Sequence, residues 1–342
     1  MNPNDMPAAA APPIGPRFDW PDTFGTRFAI MIDTEEEFDW SGPFNRDARG
    51  VSAVRALPDM HRRFADRGVP LTYLVDHPIA STPEASETIA ALLADGVSAV
   101  GAHLHPWVNP PHLETVSVAN SFAGNLSSSL ERAKLEALGE AILRGFGQQP
   151  RIFRAGRYGM GPATHETLAA LGYVIDTSMR ARFCYLGQHG PDFRHVDNHA
   201  FRAGPGGVLL ELPLTTVWTG ALRRAGASLY DRVDRIPRGR GIASRLGLLD
   251  RVSLTPEGVP VEQALQAVDR ALADGVRLLN FSFHSPTVQP GMTPYVRDAG
   301  DLRRFHAWWD AVLDLLARRG VAPVPAAELL ATAMRDPLAP AA

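Results

Sequence analysis

The chain is predicted to be an α/β protein, folded as a closed or nearly closed (β/α) barrel, on three observations. Short apolar runs recur without the alternation of half-exposed strands, which is the pattern of parallel strands buried on both faces. Helical periods lie between them and stop at glycine. Three of the runs then end in acid or imidazole: 28–32 leads to Asp33, 97–102 to His103, and 278–283 to His284. In α/β proteins the carboxyl ends of parallel strands share one rim, and sites are built there.

The elements follow in order. Apolar runs at 28–32, 71–75, 97–102, 152–153, 173–175, 208–212, 278–283 and 321–324 are the predicted strands. Helices are predicted over 51–67, 83–94, 128–144, 162–171, 260–273 and 299–319. Pro83, Ser128, Pro162 and Pro260 open four of them; Gly68, Gly96, Gly145, Gly172, Gly275 and Gly320 stop all six. Proline at the start and glycine past the end is the expected asymmetry of helix termini. Helix, glycine, strand, repeated seven or eight times, predicts βαβ units closing on themselves. Residues 213–255 break the rhythm. That stretch is Arg- and Gly-rich and reads as an inserted helical hairpin or lid. The domain plan is a flexible tail over 1–26, one barrel over 27–335 carrying this insert, and a tail over 336–342.

Composition narrows the function. Of 342 residues, 45% are hydrophobic and 21% charged, as in ordinary globular chains. The 34 Lys and Arg against 37 Asp and Glu leave a net charge of −3, which argues against a nucleic-acid partner. Arg223, Arg224, Arg232, Arg235, Arg238, Arg240, Arg245 and Arg251 form a basic stretch with few aromatics. A solvated loop-helix insert is the simpler reading; a patch for an anionic substrate is the sharper one. Cys184 is the only cysteine, so no intramolecular disulfide forms. The start lacks a basic segment followed by an apolar core, and no window is apolar enough to span a bilayer. A cytoplasmic enzyme without a transmembrane segment is expected.

The chemistry-bearing residues sit at the strand ends. His103 and His105 are two apart, so both imidazoles point to one side and can share a metal. His112, beyond Pro110 and Pro111, could fold back as a further ligand. Within Asp33–Glu37, Asp33 and Glu35 share a facing and suit one general base and one metal-binding acid. Glu36 and Glu37 read as a solvated edge or helix start. His284 is placed to protonate a leaving group. Arg154, Arg157 and Tyr158 surround Gly156 and suit orienting a carboxylate or closing over a substrate. Asp176 ends another run and could pair with Arg154.

These elements, in this order, resemble the polysaccharide deacetylase (NodB-homology) superfamily, and its WalW-like branch in particular. The motifs are Ile32-Asp33-Thr34-Glu35, Gly101-Ala102-His103-Leu104-His105, Phe153-Arg154-Ala155-Gly156-Arg157-Tyr158, Asp176-Thr177-Ser178 and Phe281-Ser282-Phe283-His284, spanning roughly 27–327. The resemblance implies a distorted (β/α) barrel of about seven units. It also implies a divalent metal, usually zinc, and hydrolysis of N-acetyl groups on sugars or related C–N bonds. Asp33 would be the base, Glu35 the metal-binding acid and His284 the catalytic acid, with Arg154 and Asp176 in the remaining catalytic motifs. The usual histidine pair is four apart; here His105 is two from His103, and Trp107 holds the usual second position. The third ligand is thus open between His105 and His112, with Glu35, His103 and His105 the expected set. Glu35 replaces the usual aspartate, and the arginine motif lacks its proline. Trp107 and Tyr158 are expected to pack a sugar face, with Arg157 beside them. Other readings are a hydrolase of small amides or cyclic imides, and a non-catalytic member that binds metal or ligand.

Overall fold

The computed structural model describes residues 10–335. Its strands are β1 (Arg27–Thr34), β2 (Leu71–Val75), β3 (Ala99–Leu104), β4 (Ile152–Ala155), β5 (Ile175–Asp176), β6 (Phe201–Ala203), β7 (Leu209–Glu211), β8 (Thr216–Thr219), β9 (Asp250–Ser253), β10 (Leu278–His284) and β11 (Ala322–Pro323). One sheet runs β10-β1-β2-β3-β4-β5-β7-β6, with β11 also paired to β1. Its ladders are parallel except β6 against β7. The apolar runs form these strands because both faces are covered: β1, β2 and β10 bury almost every residue.

The sheet curls until its two ends meet through irregular chain. Beyond β7, the Leu214 amide donates to the Met179 carbonyl at 2.8 Å. The Asn280 amide on β10 donates to Thr215 Oγ1 at 2.9 Å, and Asn280 Nδ2 to the Leu212 carbonyl at 2.9 Å. Closure by side chains and isolated backbone bonds, such as the Thr215 amide to the Asn280 carbonyl at 3.3 Å, in place of a continuous ladder makes this a distorted (β/α) barrel, as expected.

Register positions the site. β1 and β10 pair Asp33 with His284, and β3 and β4 pair His103 with Arg154. Four candidate site residues therefore reach one rim together. The helices lie outside and bury apolar stripes against the sheet: Leu135, Leu138 and Ile142 on Ser128–Phe146, and Phe305, Trp309, Val312 and Leu316 on Ala299–Arg318. Ser127 and Asp298 cap their first turns by accepting from the Leu130 and Asp301 amides.

Several expectations shift. Gly145 does not stop its helix, which runs to Phe146 and ends at Gly147 with φ +70°. Gly145 serves close packing instead, since a Cβ there would lie 2.9 Å from the Ala80 carbonyl. Residues 10–26 were expected within a flexible tail, yet Phe18 and Phe24 are buried and Arg17 bridges Phe201. The tail predicted over 336–342 and residues 1–9 lie outside the described residues. The insert is a β8–β9 antiparallel hairpin carrying helices Gly226–Asp234 and Gly239–Arg245. No helix among the described residues is long and apolar enough to cross a membrane.

Candidate active site and metal centre

Glu35, just past β1, and His103 and His105, at and just past the end of β3, converge. Glu35 Oε2 stands 3.4 Å from Nε2 of each histidine, and the two Nε2 atoms are 3.1 Å apart. All three residues are buried. Two ring nitrogens facing each other cannot both carry protons comfortably, and a carboxylate completes the triangle. Glu35 Oε1 has no hydrogen-bond partner. Burial holds His103 well below the ordinary imidazole value and His105 at about 4, against the pull of neighbouring carboxylates, so both rings stay neutral. Two neutral imidazoles and a carboxylate form the donor set of a divalent cation, and these three residues fit one.

His105 has its own support. Its Nδ1 lies 2.7 Å from Glu36 Oε2, which fixes the proton there and leaves Nε2 as the free donor. Trp107 Nε1 donates to Glu36 Oε1 at 2.8 Å, and the indole stacks on His105 at 4.2 Å. Asp76, past β2, accepts the Glu36 amide at 2.7 Å. Two expectations are corrected here. Glu36 is fully buried rather than a solvated edge, because His105 and Trp107 enclose its carboxylate. Trp107 is 2% exposed and packs against Phe38, Phe44 and His105, so no sugar face can reach it.

Asp33 belongs to a different arrangement. Its Oδ1 accepts from Arg154 Nη1 at 2.5 Å. Burial favours the protonated acid, but Arg154 and the His284 imidazolium outweigh it and hold the carboxyl below its ordinary range. Arg154, fully buried, also donates to Ser282 Oγ at 2.6 Å and to the Thr177 carbonyl at 3.2 Å. It thus ties β4 to β1, β10 and the chain past β5. His284 Nε2 stands 3.8 Å from Asp33 Oδ2. On its other side, Nδ1 pairs with Glu257 Oε2 at 2.6 Å. Burial opposes the charged ring, yet Glu257, Glu35 and Asp33 raise it to about 10. An ionised carboxylate and a protonated imidazole flanking a three-donor centre can take a proton and give one.

Other expected residues fall elsewhere. His112 Nε2 pairs with Arg49 at 2.8 Å and stays out of the centre. Asp176 does not meet Arg154: its Oδ2 lies 3.1 Å from His165 Nε2, which also stands 3.4 Å from Glu211 Oε2. Its side chain faces the helix layer, while Thr177 faces Arg154. Arg157 is engaged in fixing its own turn; it donates to Ser121 and Gln188 and covers the Phe122 ring at 4.1 Å. Arg157 and Tyr158 both hold positive φ, 56° and 58°, a strain characteristic of binding sites. Tyr158 is half-buried and stacks on Tyr185 at 5.9 Å.

Sequence reasoning missed Glu36, Asp76, Glu257 and Trp40. Asp76 ends an apolar run just as Asp33 does, so the same signal was available. Trp40 is half-buried and lies 4.9 Å edge-on to His284 and 5.6 Å from exposed Tyr295. Glu257 follows the insert and carries no local signal.

No protein-family model matches the chain, and no curated protein does. Solved structures share the fold. Puue allantoinase is 12% identical over 93% of each chain, with a TM-score of 0.54. A probable polysaccharide deacetylase from Pseudomonas aeruginosa PAO1 is 15% identical over 90% of each chain, with a TM-score of 0.51.

Proposed function

We propose that the protein is a metal-dependent hydrolase of amide C–N bonds, with an N-acetyl group on a sugar as its substrate. The observation that carries this is the centre of Glu35, His103 and His105 standing between a charged acid held by Arg154 and a charged imidazole held by Glu257. The motif order that resembles polysaccharide deacetylases supports it, and so does the fold shared with the probable polysaccharide deacetylase from Pseudomonas aeruginosa PAO1. Glu35, His103 and His105 would hold a divalent cation, zinc by its preference for two imidazoles and a carboxylate. When bound, the cation lowers the pKa of water and polarises the scissile carbonyl.

The chain's own residues supply the rest. Asp33 accepts the proton of the attacking water while Arg154 keeps its carboxylate oriented and ionised. The water oxygen bonds to the carbonyl carbon. His284 delivers its Nε2 proton to the departing nitrogen as the C–N bond breaks, and Glu257 holds the ring for that transfer. Trp40 and Tyr295, beside His284, offer the aromatic surface that Trp107 does not.

The test is metal analysis of the purified protein, with acetate release from N-acetylated oligosaccharides before and after chelation. Release that chelation abolishes and zinc restores supports the reading; stoichiometric metal without release would remove it. A hydrolase of small amides is the second reading, favoured by the depth of the centre, where Asp33, Glu35, His103 and His105 are each at most 3% exposed. Release from a cyclic imide but not from acetylated sugars would select it.

A further inference from the structure

The rim past β5 carries an arginine that the mechanism does not use. Arg180 is half-buried. Its Nε and Nη2 both address one neutral acceptor, Ser253 Oγ, at 3.2 and 3.0 Å. No carboxylate lies within ion-pair distance of Arg180 among the described residues. Its guanidinium carbon sits 3.7 Å from the Phe183 ring centre and 5.5 Å from that of Tyr158. Arg251, from the insert, covers the same Phe183 ring at 3.6 Å and likewise has no carboxylate partner among the described residues. Two guanidiniums on one ring, removed in part from water and without a counter-charge, leave a local positive field. A guanidinium stays charged at any physiological pH. Burying it unpaired is costly unless something anionic completes it.

The position faces the chemistry. Arg180 bridges to Leu214 in the segment that closes the barrel. Tyr158, under its guanidinium, follows Gly156, whose Cα lies so close to His105 that a Cβ would stand 2.2 Å from the ring. Ser253, on its other side, precedes Leu254, whose carbonyl accepts the Ser282 amide, and Glu257, which holds His284. Arg180 thus stands between the wall that backs a metal ligand and the strand leading to the catalytic acid. Tyr185 stacks beside Tyr158, and its buried hydroxyl lies next to the Arg180 guanidinium. Arg157 is a weaker candidate, since its donors reach Ser121 and Gln188.

We infer that Arg180 receives an anionic group of the substrate, a carboxylate or a phosphate carried near the reacting amide. This rests on the hydrolase reading above and specifies the substrate as an acidic or phosphorylated N-acyl sugar. The guanidinium fork matches either oxyanion through paired N–H donors, and the Tyr185 hydroxyl adds a donor.

Equilibrium binding to the zinc-loaded full chain tests it without turnover. The probes are N-acetylglucosamine, its uronic acid and its 6-phosphate, titrated by calorimetry. A charge-assisted contact should favour one acidic probe over the neutral sugar by about tenfold or more. Preference for the uronic acid identifies a carboxylate; preference for the phosphate ester identifies a phosphate. Arg180→Gln should shrink the preference to within about twofold, and Arg180→Lys should keep part of it because the charge remains. Equal affinity for all three probes, binding of none, or a preference that survives Arg180→Gln would overturn the inference. Should the Gln variant not fold, loss of the wild-type preference at high salt serves as the second readout. The two proposals fail separately. Selective binding without hydrolysis removes the hydrolase reading alone; hydrolysis of neutral sugars without selectivity removes this one alone.

Discussion

Asp33 and Glu35 leave the same strand end two residues apart, yet their carboxylates meet opposite company. Asp33 is gripped by Arg154, whereas Glu35 faces two neutral imidazoles. Asp33→Asn should therefore keep the metal and lose turnover, by about a hundred- to ten-thousand-fold, the usual worth of a general base. Metal content and kcat measured on one preparation decide it; a metal-free Asn variant would mean the roles are exchanged. Glu36 touches no expected substrate, but it sets which nitrogen of His105 is free. Glu36→Gln should weaken metal binding by about 10–100-fold, the typical cost of removing such a support. Competition with a chromogenic chelator measures this, and unchanged affinity would show that the ring needs no orienting.

Among the elements, the turn after β4 and the cluster behind β5 carry the clearest consequences. Gly156 lets the turn lie on His105: a Cβ there would come within 2.2 Å of the ring and 2.6 Å of the Leu104 carbonyl. Gly156→Ala should cost about 1–3 kcal/mol, as overpacking does, and should loosen the metal more than Gly159→Ala in the same turn. Behind the sheet, His165 stands between Asp176 and Glu211. Burial alone would discharge its ring, but the two carboxylates raise it to about 10. A raised imidazole contributes its full stability below the ordinary value near 6.5, and the contribution fades as pH rises through about 10. Burial and Asp176 lift Glu211 to about 8. His165→Gln leaves both acids without a cation, so near pH 8 it should cost about 3–5 kcal/mol. The cost should grow toward pH 6, where the wild-type ring carries its full stabilisation, and fade as pH rises through about 10. Denaturant midpoints at the two pH values check the sign; an equal cost at both would show that the cluster carries no net charge coupling.

Taken as a whole, the barrel closes around its site, so metal and fold should be linked. Glu35 and Glu36 are both raised by burial, Glu35 well above the ordinary range and Glu36 to about 7, so buried acid accumulates at the mouth of the barrel. A cation offsets that repulsion. At a free concentration a hundred times Kd it should stabilise the chain by about 2.7 kcal/mol, seen as a fall in Tm on adding a chelator and recovery with zinc. Identical melting curves with and without chelator would separate the metal from the fold. The insert belongs at this scale too. Its return strand β9 reaches the rim through Arg251 and Ser253. Arg223, by contrast, donates to Gly220 within its own loop.

What the chain determines locally was legible without its fold. Apolar runs bounded by glycine located the parallel strands, because burial on both faces leaves no room for polar alternation. Asp33, Glu35, His103, His105, Arg154 and His284 could be picked out because each stands at or just past the end of such a run, where a barrel has its rim. The tertiary structure decided which partner each one meets. Glu36 and Trp107 read as surface and substrate contact until the barrel folded them under His105. Asp176 read as a partner of Arg154 until the alternation of β5 turned it outward to His165. Glu257 and Arg180 carry no local pattern, since each acts only after chain closure brings a distant segment to the rim. Strand periodicity is a property of neighbours in sequence. Pairing a buried charge is a property of neighbours in space, and a sequence read alone does not contain that distance.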